Sequence, residues 1–131
     1  VMALFGTPLQ QPDHALRAIR AGLEMQAAHQ EVMQTWVAKG VEESPIGVGI
    51  ATGELLVGEF GCQKRTDYTV IGQAANLGSR ICGVAHGGQV MISQATYDLV
   101  EDVVEAVPYS GLQLKGVAND VTVYHVMRVL A

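Results

Sequence analysis

Asn76 and Arg80 are the two residues of this chain whose types and spacing could do chemistry together. They lie in the stretch from Lys64 to Arg80, KRTDYTVIGQAANLGSR. Four residues apart on a helix, their side chains share one face about one turn apart. An amide and a guanidinium side by side near a helix start can grip an oxyanion or a phosphate, because both donate hydrogen bonds and the guanidinium stays charged. Asparagine is otherwise a poor mid-helix residue, since its amide competes for backbone hydrogen bonds. In most helices such a pair is simply a solvated face, and taken alone it favours that ordinary role. By the same standard Lys115 alone reads as a surface strand lysine, Thr69 as a β-branched strand filler, and Lys64 and Arg65 as solvated loop cations.

The elements that must position the pair follow from local pattern. Tyr68-Thr69-Val70-Ile71 has the β-branched character of a buried strand. Gly72 breaks it, and Gln73 onward reads as helix, with Ala74, Ala75, Leu77 and Ile81 as packing residues. Upstream, Val1 to Phe5 reads as an apolar strand ended by Gly6-Thr7-Pro8, and Pro12-Asp13 signals a helix start. Leu16, Ile19, Leu23, Ala27, Met33 and Val37 then keep helical spacing as far as Lys39-Gly40, which predicts a long amphipathic helix with its apolar face in the core. Ile46, Val48 and Ile50 alternate with Gly47, Gly49 and Ala51, a strand whose nearly bare face suits a closely packed helix. Thr52-Gly53 reads as a tight turn into Leu55-Leu56-Val57, predicting a hairpin, with Gly58 to Thr66 as a loop.

Downstream, His86-Gly87-Gly88 is a turn and Gln89 to Ile92 a strand. Ser93 is a suitable N-cap for a short helix, Gln94 to Val100. Val103 to Tyr109 reads as a strand broken by Pro108. Leu112 and Leu114 point one way, Gln113 and Lys115 the other, and Lys115-Gly116 closes that strand. Val121 to Val129 is the last strand, apolar on both faces and therefore expected to be well covered.

At 131 residues, 49% hydrophobic and 16% charged, the chain is one domain with a real core. A net charge of −5 with only eight Lys and Arg argues against a nucleic-acid or anionic-membrane surface, whereas a phosphate ligand needs only a few local donors. Cys62 and Cys82 lack C-x-x-C spacing and are expected reduced, and the four histidines show no metal-ligand spacing. No run is long and apolar enough to cross a bilayer and no signal peptide is evident, so the expected location is the cytoplasm or the cytoplasmic part of a larger protein.

DYTVIGQAANLGSR resembles the signature of the class III nucleotide cyclases, the adenylate and guanylate cyclase catalytic domains. The resemblance extends in order to Val1-Met-Ala-Leu-Phe-Gly6, Asp13-His-Ala-Leu-Arg-Ala, Gly47-Val-Gly-Ile-Ala-Thr-Gly53, Gly88-Gln-Val-Met-Ile-Ser93 and Leu112-Gln-Leu-Lys-Gly116. It implies an α/β (α+β) sandwich of ferredoxin-like pattern, with a mixed, mainly antiparallel sheet and helices on one face. The whole chain, 1–131, would be one partial cyclase domain lacking its N-terminal portion, since a core strand rarely opens a domain. Its open sheet edge and uncovered apolar surface would favour association.

The implied reaction makes 3′,5′-cyclic AMP and pyrophosphate from ATP, with GTP as the second candidate. It needs two divalent cations and donors for charge on the transferring phosphoryl group. Carried over residue by residue, Asn76 would orient the ribose and Arg80 would stabilise the transition-state charge. Lys115 would contact the terminal phosphates, and Thr69 would read the adenine edge. The resemblance implies Mg2+ or Mn2+ whose ligands lie outside this chain, so the fragment is expected to be inactive alone. It also implies a homodimer or a heterodimer with another cyclase domain, each site being shared. No nucleic acid and no membrane insertion of this segment is expected. The alternatives are a catalytically inactive cyclase-like regulatory or dimerisation module and, explaining the Asn/Arg string poorly, a ferredoxin-like nucleotidyltransferase.

Overall fold

A computed structural model describes residues 1–131 except Pro8, Gln63, Lys64, Ala118 and Ala131, and gives residues 59–62 and 65–69 by backbone alone. The expectations for Pro8 and Lys64, and for the side chains of Cys62, Arg65 and Thr69, therefore lie outside the described residues. In chain order the elements are α1 (His14–Ala38), β1 (Val48–Ile50), β2 (Leu56–Cys62), β3 (Arg65–Ile71), α2 (Gln73–Val84), β4 (Val90–Ser93), α3 (Gln94–Val100), β5 (Val104–Leu112) and β6 (Val121–Val129).

Four strands form one sheet in the order β1-β4-β6-β5, and β2 and β3 form a separate antiparallel pair. β1 runs parallel to β4, while β4 with β6 and β5 with β6 are antiparallel. A parallel pair cannot be closed by a tight turn and needs a long crossover, which here includes α2. The mixed, mainly antiparallel sheet agrees with expectation, but the helices lie on both faces rather than one. Strand alternation explains this. Val90 and Ile92 of β4 pack with Ala15 and Ile19 of α1 and Val100 of α3, whereas Met91 packs with Ile81 of α2, Leu114 and Val123. Gln26 ties α1 to the sheet, its Nε2 donating to the carbonyls of Ile46 and Gln89, both at 2.9 Å.

Several local expectations are corrected. Val1 to Phe5 forms no strand, because no described strand lies alongside to accept its backbone hydrogen bonds, and Val1, Met2 and Phe5 are exposed. β1 and β2 form no hairpin: β1 takes β4 as its neighbour and β2 takes β3. Residues predicted as a loop between Gly58 and Thr66 extend the β2–β3 ladder, with Gly58 opposite Thr69 and Cys62 opposite Arg65. Pro108 does not break β5; it sits opposite Tyr124 on an edge strand, the place in a sheet where proline is tolerated. The alternation of Leu112 and Leu114 against Gln113 and Lys115 holds in burial, although the strand ends at Leu112.

The amphipathic helix is present, but only its first half is core. Its buried residues are Ala15, Ile19 and Gly22, while Ala27, Val32, Trp36 and Val37 are exposed. Twenty-five residues make a rod about 37 Å long, whereas the four residues of β4 span about 13 Å, so the second half overhangs the sheet. The far edge of β1 carries no partner strand among the described residues. Ser93 caps α3 as expected, its Oγ accepting the Thr96 N–H at 3.3 Å.

Candidate active site

The seat of α2 is built from residues that lack side chains. A Cβ at Gly49 would stand 2.4 Å from the backbone N of Cys82 and 2.6 Å from the carbonyl O of Gly78, so only glycine lets the helix lie this close to β1. Ala51 faces Gly78, and Gly47 faces Ala85. The bare strand face therefore receives a helix, as its pattern implied. At the other end, a Cβ on Gly72 would come within 2.8 Å of the Glu54 carbonyl O and of Leu55 Cδ2. The segment after β1 thus passes over the first turn of α2, which is why it does not fold back as a hairpin.

With its inner face committed to β1 and β4, α2 turns Asn76 and Arg80 outward. Both are exposed, whereas Ile81, next to Arg80, is fully buried. Asn76 sits in the first turn, its backbone N–H donating to the Gly72 carbonyl at 3.4 Å. Gly72 offers no side-chain cap and the first turn holds no acidic residue, so the positive end of the helix dipole meets no carboxylate from its own first turn.

Lys115 comes from far along the chain. Leu114, 3% exposed, shares a buried cluster with Ile81, Met91 and Val123, and it anchors a turn in which the Val117 N–H donates to the Leu114 carbonyl at 3.0 Å. Lys115 is exposed on that turn, and Gly116 follows it with φ +81°. The Arg80 guanidinium lies against Gly116: a Cβ there would be 3.2 Å from Nη2, 3.5 Å from Cζ and 3.7 Å from Nε. One corner of the molecule thus collects Asn76, Arg80 and the Lys115-Gly116 turn. Among the described residues no carboxylate pairs with Arg80 or Lys115. Thr69 lies in β3, the strand that leads into α2, and only its backbone is described.

Asn76, Arg80 and Lys115 are all exposed. Cavities of about 400 and about 310 Å³ lie elsewhere, one around Phe5, Leu9 and Arg17 and the other around Leu77, Ile81, Gln94 and Thr122, and neither is lined by Asn76, Arg80 or Lys115. The described residues do not fit a divalent cation. They include no group of three His, Cys, Asp or Glu that could hold one. Asp13 accepts from Arg17 Nε at 2.8 Å, and Asp98 accepts from Gln94 Nε2 at 2.8 Å. Cys82 is a free thiol. The approach of Arg80 to Gly116 is not evident from sequence; the one signal is a glycine directly after Lys115.

Residues 1–128 match the profile of the adenylate and guanylate cyclase catalytic domain. Adenylate cyclase 1 of Rhizobium meliloti (strain 1021) is 29% identical over 99% of this chain, which spans 20% of that protein. The crystal structure of the adenylyl cyclase CyaB from P. aeruginosa superposes with a TM-score of 0.86 at 34% identity, covering 95% of this chain and 65% of that one. The guanylyl cyclase Cya2 gives a TM-score of 0.86 at 41% identity, covering 95% and 64%. With the profile spanning nearly the whole chain and α2 following directly on the signature strand β3, this chain belongs to the adenylate and guanylate cyclase catalytic domain family.

Proposed function

We propose that this chain is the triphosphate-gripping part of a class III adenylate cyclase domain, which converts ATP to 3′,5′-cyclic AMP and pyrophosphate in the cytoplasm. The ribose 3′-oxygen attacks the α-phosphorus and loses its proton, the bond to the β-phosphate oxygen breaks, and pyrophosphate leaves. Asn76 orients the ribose. Arg80 holds the charge that grows on the transferring phosphoryl group, a role suited to a fixed, permanently charged fork of donors. Lys115 binds the terminal phosphates, and Thr69 reads the adenine edge. The reading is carried by one observation, the Arg80 guanidinium laid on the turn that presents Lys115, with Asn76 one helical turn earlier.

The site is completed by a second cyclase domain, in a homodimer or heterodimer, which closes over the nucleotide; the exposure of Asn76, Arg80 and Lys115 supports this. Mg2+ or Mn2+ is implied by the family; since the described residues form no site for it, no step assigned here runs through a metal. The named relatives include both adenylyl and guanylyl cyclases, and Thr69 is the residue on which the choice of ATP rests.

The test is an assay of the whole protein with ATP or GTP and Mg2+ or Mn2+. Cyclic AMP is the expected product, and Arg80→Ala is expected to lower kcat by about 10²–10³-fold with a smaller change in KM. A whole protein that neither binds ATP nor releases cyclic nucleotide would overturn this reading and leave the non-catalytic cyclase-like module.

A further inference from the structure

Gly116 meets two separate demands. Its φ of +81° belongs to the turn closed by the Val117-to-Leu114 hydrogen bond, a conformation that asparagine adopts more readily than most residues with a side chain. The second demand is narrower. Three atoms of the Arg80 guanidinium lie 3.2–3.7 Å from the point where a Cβ would be, so the group rests broadside over the missing side chain instead of touching it with its tip. The turn cannot easily retreat, because Leu114 is buried with Ile81, the residue after Arg80. The guanidinium can, since it ends a flexible stem and is exposed. Any side chain at this position is therefore relieved by moving Arg80.

We propose that Gly116 is a positioning residue for Arg80: its bare backbone is the shelf that sets where the guanidinium points. The inference rests on the role proposed above for Arg80. A charge-stabilising donor must lie within a fraction of an ångström of the charge it meets, and a misplacement of about 1 Å costs about 10²-fold in rate.

The experiment places Gly116→Asn and Gly116→Ala in the whole protein, each alone and in an Arg80→Ala background. Asparagine keeps the turn while adding the Cβ. Gly116→Asn is expected to lower kcat by about 10–100-fold with little change in KM and in the thermal midpoint. In the Arg80→Ala background it is expected to cost less than about twofold more, because the group it displaces is already gone. Unchanged kcat in Gly116→Asn, or an equal loss in both backgrounds, overturns the proposal while leaving the Arg80 reading intact. If Arg80→Ala itself leaves kcat unchanged, both fall together. A readout independent of turnover is the Nε–H resonance of Arg80 in a 15N-labelled sample: it is expected to shift in Gly116→Asn while that of Arg128 stays in place. An unmoved Arg80 resonance overturns the proposal.

Discussion

Lys115 and Arg80 are both cations at one corner, yet they should answer differently to substitution. Lysine is a compact point charge on a flexible stem, and on the exposed turn it can follow a phosphate through binding and reaction alike. Uniform binding of that kind lowers KM without raising kcat. Lys115→Ala is therefore expected to raise the KM for ATP about tenfold, the loss of one charge-assisted hydrogen bond, while kcat changes less; steady-state kinetics checks this. At the other end of the chain, the Arg17 guanidinium hydrogen-bonds Asp13 and holds its carboxyl below the ordinary value. A depressed carboxyl stabilises the fold above its unfolded pKa and loses that contribution as pH falls through the folded value. Both groups are well exposed, so the contribution is small. The thermal midpoint of Asp13→Asn should fall slightly below that of the parent at pH 7 and converge with it once the pH has fallen through the lowered folded value.

At the scale of elements, α2 is the lever that decides whether Asn76 and Arg80 can act, and its height above the sheet is set by Gly49. The atoms a methyl would meet there are backbone atoms of the helix, so nothing flexible can give way. Gly49→Ala is expected to destabilise the protein by about 1–3 kcal/mol and to lower activity at temperatures where it remains folded. Gly83, on the same helix, has open space where a Cβ would go. Gly83→Ala is expected to stabilise by about 0.5–1 kcal/mol, because only the helix propensity changes. Urea denaturation of the two variants measures both effects. The expectation of a helix against the bare strand face was legible because alternating Gly47, Gly49 and Ala51 can be counted along the chain. The β1–β2 hairpin was misread because Thr52-Gly53 carries turn chemistry, whereas Gly53 and Glu54 are in fact held against Ala74 and Gly72.

Over the whole molecule, one sheet separates two buried clusters, and α1 reaches beyond both. Its periodicity is uniform, so the sequence assigned one continuous core face. Burial is not uniform: Ile19 is 0% exposed and Val37, on the same face, 45% exposed, because the strands beneath are shorter than the helix. Ile19→Ala is expected to cost about 2–5 kcal/mol and Val37→Lys less than about 0.5 kcal/mol, measured by the same denaturation. Equal losses at the two positions would mean that the outer half of α1 is packed after all.

What the amino-acid order determined by itself is what lies within a turn or a strand of its cause. The i, i+4 pairing of Asn76 with Arg80, the strand–Gly72–helix signature, the Ser93 cap and the extent of β6 all depend on near neighbours, whose geometry the peptide backbone dictates. Only the tertiary structure decided which strands pair, on which face each helix lies, how much of α1 is covered, and that Gly116 comes to rest under Arg80. Those outcomes depend on partners distant in the chain, and any given strand or turn could have met several. Which one it met was settled by the joint packing of two faces of one sheet, and no local pattern records that competition.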